Sequence, residues 1–466
     1  MMQEALPLKM EENNSGTLYV PVDLFKQYVE RVQFPKAISF GTKTIQCEVA
    51  PHPDQKNEYM ISKNLWEALM IPHEGLIHLL QKEDTVFIGP LVGIFTAGFT
   101  QFNLRPIGER SLFFAKLLSV EKKVGAFYFV FGAHQIDWGN GTVNGYFYTA
   151  DGWKQIKVPI PNVVYDRLPN RKVENLEFSK QVKERLQTEY DIPWFNPGFF
   201  NKWDIHQMLI NDVKASKHLP KSYFQPEFTD IQNLLETYKQ VYIKPANGSL
   251  GLGIQQLIQK KDEPFVYCRF RNNEENRLRR YSSLKRLVRR QFPFGLEDMI
   301  AQQGINLLKW NNNPIDFRIH TNKDEHGRWC LSAIAAKIAG TGSITTHVKS
   351  GGEVKTVKEI LHDIGANPAI IKKLHETALM LSERIDHHMP GFIGEIGFDI
   401  GVDQSEHVWM FEANSKPGRT IFSHPKLKGD DLQSRRLPLE YAIFLFKQSV
   451  EKQPELVNAN EHFLQL

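Results

Sequence analysis

Apolar side chains flank acidic ones in two runs near the C-terminal end of the chain, 394–400 and 408–414, with a polar stretch between them. Phe398, Ile400, Met410 and Phe411 are the apolar members, and the pattern predicts a strand, a turn and a strand at least half buried. Side chains two apart on a strand share a face, so Glu412 and Asn414 point the same way. A turn near 404–407 sets Asp399 opposite Glu412. Two carboxylates ~4 Å apart repel by about 4 kcal/mol at an effective dielectric of ~20, so the cluster calls for a cation. Oxygen donors alone point to magnesium or manganese, and three of them leave the octahedron to be completed by phosphate or water.

Upstream, β-rich segments at 18–22, 37–40 and 44–49 and a helix at 63–70 capped by Ser62 predict a small β-rich module over residues 1–84. A continuous apolar run at 85–95 reads as one strand buried on both faces and opens an α/β domain expected over 85–196. Within it lie a helix at 111–120, an aromatic strand at 125–131 and a hairpin through Asn140-Gly141. Aromatic, proline and glycine residues at 196–202 mark a second boundary before a helix at 203–213. The remaining domain is expected over 197–450, divided at 298/299, with a tail at 451–466.

Composition narrows the class. The 466 residues are 41% hydrophobic and 24% charged, which fits several globular domains, and a net charge of +4 gives no global sign of a nucleic-acid partner. Cys47, Cys268 and Cys330 are far apart and lack ligand spacing, as expected of a protein in the reducing cytoplasm. Residues 1–16 carry no apolar signal-peptide core, and the longest apolar stretch, 91–99, falls well short of the ~20 residues of a membrane span.

Two further motifs carry chemistry. At 241–254 an apolar run delivers Lys244 and then a glycine-rich loop containing Gly248, Ser249, Gly251 and Gly253. Glycines let backbone N–H groups turn around an anion while the lysine adds a point charge for phosphate. The lysine comes first, which excludes a Walker A loop, and no third glycine completes a dinucleotide fingerprint. At 316–320 alternation puts Asp316, Arg318 and His320 on one face. A structural ion pair is the economical reading there. Arg318, with Lys337 downstream, would otherwise neutralise a transferring phosphoryl group or hold a substrate carboxylate. A basic run, Arg269 to Arg290, reads as a solvated face or as a site for an acidic ligand, and His387-His388 as a helix end.

The order of these motifs, lysine and glycine loop, Asp-x-Arg, then Asp followed by Glu-x-Asn-x-x-Pro-Gly, resembles the ATP-grasp superfamily over 196–423. The resemblance implies two α+β subdomains clasping ATP, preceded here by an α/β domain and the β-rich module. It implies that Lys244 and the loop 248–253 cover the ATP phosphates and that Lys202 is an earlier nucleotide-contacting lysine. The stretch 299–305, with Gln302, Gln303 and Ile305, would be the adenine hinge; glutamines stand there where a glutamate is common. Asp399, Glu412 and Asn414 would be the magnesium ligands. The whole chain, with Ile88-Gly89-Pro90, Tyr165-Asp166-Arg167-Leu168-Pro169 and Phe195-Asn196-Pro197-Gly198, is similar to the YheC/YheD family of endospore coat-associated proteins. That implies a sporulating bacterium and a place near the spore coat, with spore-coat proteins as partners, but no reaction.

Three readings follow. The first is an ATP-dependent ligase joining an unidentified carboxylate to an amine or thiol through an acyl phosphate. The second is a nucleotide-binding coat protein without catalysis. The third, polyanion binding, rests on the arginine run alone.

Overall fold

The apolar run at 85–95 is two strands rather than one. Gly89 takes φ +133, a value glycine adopts readily, and Pro90 has no N–H to continue a ladder. Strand Thr85–Gly89 therefore ends there and strand Leu91–Phe95 begins. In the computed structural model, which describes residues 5–31, 34–120, 124–248, 253–272, 275–344, 346 and 351–452, the first strand joins an eight-stranded mixed sheet and the second a seven-stranded one. Ser62 stands at the start of helix Lys63–Leu69, but its hydroxyl bonds Asn64 and the Thr17 N–H and leaves the helix uncapped.

The chain forms two units. The first is built from Met1–Gly198, Lys323–Arg328 and Arg435 onward, around one continuous core that runs from Leu8 to Trp194. Its strand Leu91–Phe95 pairs in parallel with Phe127–Phe131 on one side and Val163–Asp166 on the other.

The second unit, Phe199–Asn322 with Trp329–Ser434, holds two six-stranded sheets. In one, the strands run Ser222–Phe224, Met299–Gln303, Gln240–Pro245, Gln255–Gln259, Val266–Asn272 and Glu275–Tyr281 across the sheet. Val241, Ile243 and Leu257 meet helices Phe228–Tyr238 and Leu284–Gln291 on one face, so the two-residue period turns Tyr242 and Lys244 to the other. The second sheet contains strands Glu353–Lys355, Trp329–Ile338, Asn313–Lys323, Glu395–Val402 and Val408–Asn414, in that spatial order. Ile315, Phe317, Ile319, Phe398 and Ile400 share a fully buried core with Leu374, Ala378, Leu381 and Ile385 of helix Ile370–His388. Burying those residues at about 1.5–3 kcal/mol each drives the sheet onto the helix. The polar alternates Asp316, Arg318 and Asp399 are left on the opposite face.

Candidate functional site

The strand pair at the edge of the second sheet sets the acids. Asp399 lies opposite Glu412 and Gly397 opposite Asn414, with a register shift just after Asp399. Across the other edge of the same strand, Arg318 lies opposite Asp399. A Cβ on Gly397 would stand 2.4 Å from Pro417, so this glycine is what lets the Pro417-Gly418 segment fold back over the strand after Asn414.

These carboxylates are already matched by cations. Lys337 Nζ lies 2.6 Å from Asp399 and 2.8 Å from Asp316, Arg318 Nη1 lies 3.3 Å from Asp399, and Lys202 Nζ lies 3.5 Å from Glu412. Thr346 donates to the second oxygen of Asp316. Burial alone would raise the Asp399 carboxyl, but Arg318 and then Lys337 outweigh it and hold it at about 2. Asp316 is raised by burial with Lys337 opposing, and Lys337 itself is raised, the two aspartates overcoming its burial. The expected pairing within the strand, Asp316 with Arg318, is therefore replaced by two pairings between strands. The repulsion taken in the sequence as a demand for a metal is met by side-chain cations.

The donor chemistry still suits a hard cation. Two carboxylates and an amide share one face of a strand pair, and among the described residues no three His, Cys, Asp or Glu side chains are arranged to hold an ion by themselves. A cation held there would have to draw its remaining ligands from phosphate and water.

Beside the acids lies a cleft lined by Lys202, Trp203, His206, Ser222, Lys244, Ile300, Gln302, Met410, Phe411 and Glu412. Lys244, 8% exposed, donates to Gln302 Oε1 at 2.9 Å and to the Phe411 carbonyl at 3.3 Å. Burial pulls its ammonium down to about 8, with Glu412 opposing. Gln302 passes the chain of bonds on by donating to Ser222 Oγ.

Lys202 is placed by a true helix cap. Asn201 Oδ1 accepts from the N–H groups of Trp203 and Asp204, so helix Lys202–Ile210 begins with the lysine, whose Nζ donates to the Gly248 carbonyl. Trp203 stacks on His206 at 5.1 Å and on Phe224 at 5.5 Å. Burial and then Lys244 lower His206 to about 4, so the ring is neutral at physiological pH.

The sequence-expected residues divide accordingly. Lys202, Lys244, Gln302 and Glu412 line the cleft, and Asp399, Arg318 and Lys337 adjoin it through Glu412. The Gln303 side chain is turned the other way and accepts from the Lys221 N–H, while Ile305 follows the end of its strand. Gly253 has φ +76; Ser249 and Gly251 lie outside the described residues. Trp203, His206, Ser222 and the Phe411 carbonyl were not anticipated. Only the Trp-x-x-His spacing after Lys202, which puts two rings on one helix face, could have pointed to them.

A family model described as YheC/D like ATP-grasp matches residues 191–445. The endospore coat-associated protein YheD of Bacillus subtilis (strain 168) is 44% identical over 447 residues, covering 95% of this chain and 96% of its own. YheC of the same organism is 21% identical over 66% of this chain and 84% of its own. Among solved structures, the D-alanine-D-alanine ligases of Coxiella burnetii and Bacillus anthracis superpose with TM-scores of 0.43 and 0.44 at 12% and 11% identity. Each covers 78% of this chain, and 97% and 100% of their own lengths are matched. With the lysine strand and the Asp399–Glu412 strand pair in one unit, the chain belongs to the YheC/D-like ATP-grasp family.

Proposed function

We propose that the protein is an ATP-dependent ligase that activates a carboxylate as an acyl phosphate and passes it to an amine or thiol. The observation that carries this reading is the convergence of Lys202, Lys244, Arg318 and Lys337 on Asp399 and Glu412 within one unit. In the reaction a substrate carboxylate oxygen attacks the γ-phosphorus of ATP and ADP leaves. The amine or thiol then attacks the acyl carbon, and phosphate leaves. Lys202 and Lys244, at the cleft, hold the nucleotide phosphates. Arg318 and Lys337 supply positive charge where the phosphoryl group transfers, which lowers the barrier by favouring the more highly charged state. Asp399, Glu412 and Asn414 would hold magnesium or manganese, which when bound offsets charge on the phosphates.

The Trp203–His206–Phe224 stack and the Gln302–Ser222 pair give the cleft an apolar wall and a polar end, as a purine base requires. The relatives' names support a place at the endospore coat, with coat proteins as partners. Among the described residues no helix is long and apolar enough to cross a membrane. The same names describe a location and not a reaction, which favours a second reading, a nucleotide-binding coat protein without turnover. Hydroxylamine trapping separates the two: incubation with ATP, magnesium and a panel of carboxylates gives an acyl hydroxamate and matching ADP if the ligase reading holds. ATP bound but never consumed with any of them points to the second.

A further inference from the structure

The segment 266–291 holds nine lysines and arginines against two glutamates, a net +7 in a chain whose whole net charge is +4. By register with the neighbouring strand Val266–Asn272, Arg277 and Arg279 lie on the sheet face that carries the following helix, while Leu278 and Arg280 lie on the other. Strand Glu275–Tyr281 is an edge of its sheet, and all of residues 275–280 are exposed, so both of its faces meet solvent. Its arginines are braced on aromatic rings: Arg279 lies over Phe270 at 5.1 Å, and Arg280 over Phe265 at 4.4 Å. The following helix, Leu284–Gln291, is capped by Ser283 and buries Leu287, which leaves Lys285, Arg286, Arg289 and Arg290 facing outward.

Arg277 pairs with Glu275 at 3.2 Å. Arg279, Lys285, Arg286, Arg289 and Arg290 have no ion-pair partner among the described residues, while Arg280 lies in the field of Glu263. Two large apolar side chains of the strand and of the segment after the helix are also exposed, Leu278 54% and Phe294 97%.

Charge on an edge strand is a common guard against pairing with another copy. It accounts for the arginines of the strand but not for the lysine and three arginines of the helix, nor for the exposed Leu278 and Phe294, which a guard would avoid. An open edge offers backbone N–H and C=O groups that an extended peptide can use and a nucleic acid cannot. We propose that this surface is a docking site for an acidic polypeptide segment, added as a further strand along Glu275–Tyr281. Its carboxylates would lie against the arginines of the strand and of the adjoining helix. Alternate residues of an added strand fall ~6.6 Å apart on one face, the spacing of Arg277 and Arg279. The proposal concerns a surface separate from the cleft and does not rest on the ligase reading.

The test is fluorescence anisotropy with the full chain at low salt and three labelled probes: a twelve-residue peptide alternating glutamate and threonine, the same length alternating glutamate and proline, and a twenty-nucleotide oligothymidine. The threonine peptide binds best, and the proline peptide, equal in charge but unable to pair along the edge, binds about tenfold more weakly. Arg277→Glu/Arg279→Glu and, separately, Arg286→Glu/Arg289→Glu each weaken the threonine peptide about tenfold. Arg277→Gln/Arg279→Gln, with an unchanged melting temperature, weakens it in the same direction and excludes misfolding as the cause. Absence of peptide binding, equal binding of the two peptides, tighter binding of the oligonucleotide, or variants that bind like the wild type would each overturn the proposal.

Discussion

Replacing Lys337 by methionine removes an ammonium that bridges Asp316 and Asp399 at 2.8 and 2.6 Å, in a site where the lysine is 9% exposed. Each contact corresponds to about 6 kcal/mol of attraction at an effective dielectric of ~20, most of it cancelled by the cost of taking the ions out of water. Breaking such a buried pair from one side leaves Asp316 uncompensated, while Asp399 keeps Arg318, so Lys337→Met is expected to lose about 3–5 kcal/mol at pH 8. The sign with pH follows from Asp316, which burial already raises and which loses its main opposing cation in the variant. A carboxyl raised in the fold adds stability that is fully present below its unfolded pKa of ~3.9 and fades as pH climbs through the folded value. The deficit of the variant should therefore shrink from pH 8 to pH 5. Urea unfolding in EDTA at pH 5, 6.5 and 8 measures it, and Lys337→Met/Asp316→Asn, which removes the stranded charge, should recover part of the loss. A deficit below about 1 kcal/mol at pH 8, or one that grows as pH falls, would mean that Lys337 does not offset these buried charges.

Lys244, held at about 8, loses its charge through that pH, so nucleotide affinity should fall between pH 7 and pH 9 in calorimetry, whereas Lys244→Arg should flatten the profile. His206, lowered to about 4 by burial, should show no ring titration by NMR between pH 5.5 and pH 8; an inflection near 6.5 would contradict the burial argument. A Cβ on Gly304 would stand 2.5 Å from Gln240 Cβ and 2.8 Å from its carbonyl oxygen, so Gly304→Ala should cost about 1–3 kcal/mol, read as a lower melting temperature.

The strand pair was legible because two-residue alternation and a short polar turn leave one register that buries Phe398 and Ile400, and that register puts Asp399 opposite Glu412. Lys244 was legible for a similar reason: Val241 and Ile243 bury toward the helices and so fix the face it occupies. The cations answering the acids were not. Lys337 and Arg318 reach Asp399 from strands far apart in sequence, and spacing along the chain cannot tell a partner two residues away from one across the sheet. The apolar run 85–95 misled because ten buried strand residues look alike whether one sheet or two receive them; Pro90, without an N–H, was the local sign of the break. The aromatic wall of the cleft came from side chains whose stacking depends on tertiary approach, Phe224 onto Trp203 above all.

On the proposed reading, the acids opposite one another on the strand pair and the lysines of the cleft bind nucleotide together with a divalent cation. Calorimetric titration of ATP with magnesium into the wild type and into Glu412→Ala/Asn414→Ala tests it most directly. Saturable binding to the wild type, dependent on magnesium and lost in the variant, is expected, with the variant's melting temperature near that of the wild type. Absence of binding to the wild type, or equal binding with and without magnesium in both proteins, would contradict it.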